Sequence, residues 1–564
     1  MSLSGWLIMA AAATSSWTPD QGDGTYRNPI LAGDYSDPDV VRVGSDFYLT
    51  SSSFTNVPGL PILHSKDLVN WTIIGHALER NLPDARYAVP RRGAGVWAPA
   101  IRYRAGRFLI YYPDPDHGIF VVSATDPAGP WSAPVLVDET KGAIDPAPFW
   151  DDDGTAWLIK AFAGSRAGFS NVLELRRLDP AGMKAVGAPI RIIDGATLSP
   201  ARSSRGAMPW FTIEGPKLYK RDGYYYVFAP AGSVKGGWQG VFRSRSITGP
   251  YEARIVLDQG HTDINGPHQG AWVTTASGQD WFVHFQDADA YGRRVLLEPM
   301  RWKDGWPIIG ADPDRDGIGE PVLTHAKPDT GPAQPIVTPQ ASDSFDAPTL
   351  GLQWQWNANP REDWASLTAA PGKLRLNAIS SPPNLWEAGA LLSQKLPGPR
   401  FTVTTKLDFQ PKAIGERAGL AMFGRSYSWI GLEKTSVGVR LVQVVRNDAD
   451  KGAAETASIG LAEAPLTIWL RLTAEPLTVP ADPPDFRPYW PSMLRWQNAK
   501  VRFSYSLDGT RYLPVGEPFM ARQGQWVGAQ IGLFAQAPAG TPAFTAYRTG
   551  WADFDDFEVN SAGR

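Results

Sequence analysis

A unit that recurs five times constrains this chain more than any other feature. Each copy opens on a polar residue beside a proline and runs into an apolar strand. It then turns at Gly or Asp into an aromatic strand. The copies read "SDPDVVRVGSDFYLTSSS", "VWAPAIRYRAGRFLIYYP", "IDPAPFWDDDGTAWLIKAF", "IEGPKLYKRDGYYYVFAP" and "NGPHQGAWVTTASGQDWFVHFQD". Their marker prolines, Pro38, Pro99, Pro146, Pro216 and Pro267, are 61, 47, 70 and 51 residues apart. Each interval has room for a four-stranded sheet. Outer hairpins fit the remaining space, with turns such as "SKDLVNW" and "ATDPAGPW" between their strands. Repeated four-stranded units of this kind predict a five-bladed β-propeller, with the first strand of every unit lining the central channel.

At 564 residues the chain is too long for one ordinary core. Near Gly310 the texture changes, and "DPDRDGIGEPVLTHAKPDTGPAQPIVTPQ" reads as a linker. From "SDSFDAPTLGLQWQW" onward, alternating runs such as "RFTVTTKLDF", "VGVRLVQVVRN", "LTIWLRLTAE" and "VRFSYSLDG" predict an antiparallel β-sandwich. The division expected is a tail over 1–24, the propeller over 25–320, a linker over 321–341 and the sandwich over 342–564. The fold class is therefore all-β.

Composition narrows the function. Net charge is -3, with no basic field for nucleic acid, and cysteine is absent, which excludes disulfides and thiolate chemistry. No run is long enough to span a membrane. The apolar run Trp6–Ala13 ends in small residues and resembles the back half of a secretion signal without its basic start. A periplasmic or secreted location is expected from it. Nothing in the sequence selects an oligomeric state.

The repeat register selects acids from a pool of 57. Among the Asp-Pro pairs, those at Asp126 and Asp179 precede Ala-Gly and form outer turns. Asp114 follows an aromatic strand, and Asp312 and Asp482 lie in Pro-rich segments. Asp37 and Asp145 alone open an inner strand, and Glu214 is read at the matching entry of the fourth unit. The second and fifth units place Trp97 and His268 there. Three carboxylates at one channel mouth cannot all ionise easily, so one is held as a proton donor while another serves as base. That is what glycosidic hydrolysis requires, and an aromatic beside them supplies a stacking wall. Asp39 lies two residues beyond Asp37 and is read as structural. The stretch "DPDRDGIGE" places Asp312, Asp314, Asp316 and Glu320 like the start of a calcium loop. Leu323 stands where the closing Glu belongs, so a solvated turn is the better reading. His64 is expected to pack or cap an outer hairpin, and "SLDGTRY" to form a hairpin turn.

At these residues the chain resembles glycoside hydrolase family 43. The resemblance runs through "NPILAGDYSDPDVVRVGSDFYLTSSSF", "GVWAPAIRY", "IDPAPFWDDDG", "EGPKLYK" and "GPHQGAWV" in the family's order, over about Asn28 to Pro307. The later half resembles the concanavalin-like, jelly-roll sandwich appended to β-xylosidase-type members. The resemblance implies an inverting, exo-acting hydrolase releasing xylose or arabinofuranose from cell-wall oligosaccharides. Asp37 is then the general base, Glu214 the general acid, and Asp145 the residue that orients Glu214 and raises its pKa. Inversion needs base and acid about 6.5–9.5 Å apart. His268 is implied near the sugar pocket or a bound calcium, Arg293 as a substrate contact with Arg294 beside it, and Trp97 and Phe54 as pocket walls. Ile144 departs from the Phe of some xylosidases and leaves xylose against arabinose open. No organic cofactor is implied; a structural calcium is compatible with the family. Tyr489 and Trp490, in "DFRPYWPSML", are a candidate loop over the pocket. A silent sugar-binding propeller is the alternative from another class.

Overall fold

The structure, a computed structural model, describes residues 16–203, 205–480, 495–541 and 549–561. The Trp6–Ala13 run and the Tyr489–Trp490 pair lie outside the described residues.

Five four-stranded antiparallel sheets follow one another in strict chain order. Their innermost strands are Asp39–Val43, Ala100–Arg104, Ala143–Trp150, Lys217–Arg221 and His268–Thr274. Local chemistry sets the first hairpin of several blades. Ala105-Gly106 and Asp222-Gly223 both hold left-handed backbone at two successive residues. That geometry suits a two-residue turn whose twist matches the strands it joins. It pairs Arg104 with Arg107 and Arg221 with Tyr224. The second strands are the most apolar, as in Arg107–Asp114, where seven of eight residues are buried. They are covered on both faces because neighbouring blades pack against them.

Closure of the ring depends on residues far apart in sequence. Asn28 Nδ2 donates to the carbonyls of Leu297 and Val322 at 2.9 Å, and Leu297 N donates back to Asn28 Oδ1 at 2.9 Å. Leu31 bridges Val295. The stretch expected to be pure linker also contributes a strand, Thr324–Ala326, which pairs with Thr25–Arg27. His64 lies in the third strand of the first blade, its ring against Tyr48 and its Nε2 2.7 Å from Asp46.

The second half forms two packed sheets, of eight and seven strands. Phe401–Gln410 shows why: alternate residues are buried along it, so one face meets the opposing sheet and the other meets solvent. Asp508 builds the "SLDGTRY" turn by accepting from Thr510 N and Arg511 N. The sandwich is joined to the propeller by backbone pairing. Val57 and Trp356 exchange both hydrogen bonds, at 2.9 and 2.6 Å, and Ala529 N donates to Ala290 O at 2.7 Å.

Candidate active site

Asp37 precedes the first inner strand and holds left-handed backbone, φ 55°. Its two carboxylate oxygens face donors: Ser52 Oγ at 2.5 Å and Arg293 Nη1 at 2.9 Å. Both contacts suit an anion. Arg293, rather than Arg294, is the residue aimed here; Arg294 instead donates to Gln286 Oε1 at 2.7 Å. The alternation of the long strand Arg293–Lys303 sends the two side chains to opposite faces. The Arg293 guanidinium also lies 4.9 Å above the Phe285 ring.

Asp145 repeats the Asp37 conformation, φ 54°, inside a bulge between Ile144 and Ala147. Its Oδ2 accepts from Gly215 N at 2.7 Å and from Gln269 Nε2 at 3.1 Å. The register of Glu214 differs from the sequence reading by one residue. Asp37 and Asp145 directly precede Pro38 and Pro146, whereas Gly215 holds that position before Pro216. Gly215 also takes the left-handed conformation, φ 61°, and a Cβ there would meet Gln269 Cγ at 2.8 Å. Glu214 therefore stands one step earlier, two residues before its proline like Trp97, whereas His268 directly follows Pro267. The glycine allows Asp145 to approach the backbone directly beside Glu214.

Burial dominates the electrostatics. Desolvation, then the Asp37 charge, push Asp145 up to about 7. Desolvation, then Asp145, push Glu214 up to about 8, against the pull of Arg293. The Glu214 side chain keeps 21% exposure, so it can still reach a ligand. Its Oε1 lies 3.3 Å from His268 Nε2. His268 is fully buried, and burial followed by Arg293 lowers its pKa to about 3, so the imidazole is neutral. Neither ring nitrogen has a hydrogen-bond partner among the described residues.

That orphaned imidazole is the feature to test against calcium. A calcium ion takes six to eight oxygen ligands. Among the described residues, three acidic or histidine ligand atoms converge at Asp312, Asp314 and Asp316, not around His268. In the acidic loop, Arg301 and Arg202 pair with Asp312 and Asp316, and backbone amides fold onto Asp312 and Asp316, as in an ordinary turn.

Aromatic walls complete the mouth. Phe54, at φ 51°, exchanges backbone hydrogen bonds with Val96, and its ring centroid lies 6.3 Å from that of Trp97. Trp526 of the sandwich stands 6.1 Å from Trp97 and is 43% exposed. A cavity of about 80 Å³ opens beside it, lined by Lys235, Asp287, Arg293, Arg425 and Trp526. A larger cleft of about 340 Å³ between the domains, near Tyr35, His76 and Lys395, includes none of the three acids in its lining.

Sequence reading missed Ser52, Gln269, Asp34 and Trp526. The first three lie within or beside the recurring units. Trp526 carried one signal: a single large aromatic in the polar loop "ARQGQWVGAQ".

A β-propeller with three acids at one channel mouth, two of them held toward neutrality, defines a glycosidase working by carboxylate chemistry. Comparison with known proteins gives the family. Residues 26–307 match the model for glycosyl hydrolases family 43, and residues 342–560 match the β-xylosidase C-terminal concanavalin A-like domain. The chain belongs to that family. It is 33% identical to a β-xylosidase of Formosa agariphila, covering 93% of this chain and 90% of that one. It is 32% identical to a non-reducing end α-L-arabinofuranosidase of Bacteroides ovatus, covering 71% of this chain and 73% of that one. Among solved structures it resembles a xylan β-1,4-xylosidase of Bacillus halodurans, with TM-score 0.77, 25% identity and coverage of 95% and 99%.

Proposed function

We propose that the protein is an exo-acting, inverting β-xylosidase acting on the non-reducing ends of xylo-oligosaccharides. The observation that carries this reading is the division of labour among the acids. Asp37 faces only donors, while Glu214 is held up to about 8 by burial and Asp145. Asp37 is the general base: it takes a proton from the attacking water. Glu214 is the general acid: it gives its proton to the leaving glycosidic oxygen as the bond to the anomeric carbon breaks. Asp145 stays fixed by Gly215 N and Gln269 and keeps Glu214 protonated. Arg293 neutralises the mouth and holds Asp37 in place. Phe54, Trp97 and Trp526 enclose the apolar face of the sugar, with His268 as a neutral hydrogen-bonding partner at depth.

The β-xylosidase relatives support xylose; the Bacteroides ovatus relative supports arabinofuranose as a second substrate of the same site. Export is part of the proposal and rests on the Trp6–Ala13 run. The test compares nitrophenyl β-xyloside with nitrophenyl α-arabinofuranoside, with NMR of the first-formed anomer. Preferential release of α-xylose from the β-xyloside is expected. A first-formed β-anomer would overturn inversion, and unchanged turnover in Asp37→Ala would overturn the role assigned to that acid.

A further inference from the structure

The five inner strands run in one direction, so the propeller has two unlike mouths. Asp37, Trp97, Asp145, Glu214 and His268 gather where these strands begin. At their other ends a basin of about 550 Å³ opens, and every blade contributes to its lining. Arg42 comes from the first blade, Arg104 from the second, Phe149 and Trp150 from the third, Lys220 from the fourth and Trp272 from the fifth.

The basin's charge is unevenly matched. Lys220 is neutralised by Asp151 and Asp152 at 2.5 and 2.7 Å. Arg102 binds Asp39 through Nη1 at 2.7 Å, but its Nη2 is buried and has no hydrogen-bond partner. Arg42 donates to two carbonyls, Thr274 O and Gly44 O, each at 2.7 Å. The Arg104 guanidinium rests 5.0 Å over the Trp150 ring. Among the described residues, neither Arg42 nor Arg104 forms an ion pair with a carboxylate. Arg102 and Arg104 stand two residues apart on one strand and so share a face. Asp152 is the one acid on the wall.

We infer that this far mouth is a second binding site, for a saccharide that carries a carboxylate, that is, a uronic acid residue. Guanidinium groups with unused donors accept a carboxylate through paired, charge-assisted hydrogen bonds. The rings of Phe149, Tyr219 and Trp272 provide an apolar wall for the face of a pyranose. Hydrolysis takes place at the opposite mouth, so a chain bound here can tether an acidic polysaccharide without occupying the reaction site. The tethering role and the choice of test background rest on the proposed role of Glu214; the extra binding site itself does not.

The test uses the full chain with Glu214→Gln, so that ligand is not consumed. Calorimetric titration compares a glucuronate-substituted xylo-oligosaccharide with a neutral one of equal length. The acidic ligand is expected to fill one site more than the neutral one. Adding Arg42→Gln and Arg104→Gln, both exposed, is expected to weaken that extra site by about tenfold or more. The other site is expected to keep its affinity. In the wild-type background the same pair of substitutions leaves hydrolysis of a nitrophenyl glycoside unchanged, which shows the variant is folded. Equal stoichiometry for the two ligands would overturn the inference. So would an extra site indifferent to both arginines.

Discussion

The backbone N–H of Gly528 donates to Asp34 Oδ2 at 2.9 Å, across the boundary between sandwich and propeller. The other oxygen of Asp34 accepts from Arg293 N at 2.8 Å and from Ser36 Oγ at 2.9 Å. One buried carboxylate thus ties the loop that carries Trp526 to Arg293 and to Ser36, the residue before Asp37. The approach is close enough that a Cβ on Gly528 would lie 2.6 Å from Gly292 N. Asp34→Ala should therefore lower kcat/KM by at least about tenfold, since it releases three hydrogen bonds to an acidic group. Steady-state kinetics beside a thermal melt measures this. A loss of stability with unchanged kcat/KM would show that the link is structural alone.

Asp37→Asn and Glu214→Gln should each cut kcat by about 10²–10⁴ on natural oligosaccharides, the usual contribution of a general acid or base. The two variants should part company on activated substrates. A dinitrophenyl leaving group needs no proton, so Glu214→Gln should recover much of its rate there and Asp37→Asn should not. Equal recovery in both would contradict the assigned roles.

Activity should fall as pH rises through about 8, because Glu214 must be protonated to act. Asp145 is the second cause of that elevation after burial, so Asp145→Asn should move the alkaline limb to lower pH. The pH profile of kcat/KM measures it. A limb that stays in place would leave burial and the Asp37 charge as the causes.

The same two acids tie stability to pH. Their folded pKa values, about 7 and about 8, lie above the ordinary values of 3.8 and 4.5 for these side chains. The folded state then binds more protons than the unfolded one between about pH 4 and 8, and stability declines with rising pH across that window. Glu214→Gln should flatten the decline, read as melting temperature at pH 5 and pH 8.5. A parallel decline in both proteins would place the effect elsewhere.

Trp526→Ala should raise KM several-fold with a smaller change in kcat, since this ring borders the mouth without touching the acids. An aromatic pair contributes about 0.5–1.5 kcal/mol beyond area burial. A pure kcat loss would argue against a role in holding substrate.

Much of this was present in local sequence. The recurrence of proline entry, apolar strand, turn and aromatic strand determined the propeller, because period-two burial and Gly- or Asp-centred turns act over a few residues. Asp37 and Asp145 were legible for the same reason: each directly precedes the proline that marks its blade. Alternation in "RFTVTTKLDF" determined a half-buried sandwich strand in the same local way. Even Glu214, one residue out of register, was found because its neighbours repeat the pattern.

Only the tertiary structure decided what these residues do to one another. Glu214 and Asp145 are 69 residues apart in sequence. Their elevation arises from shared burial once ring closure brings the third and fourth blades to one mouth. The choice of Arg293 over Arg294 depends on which face of a strand meets the channel. The places of Trp526 and Asp34 depend on a second domain docking on the first. Charge and desolvation act through space over a few ångströms, and sequence order does not encode that distance until the fold is closed.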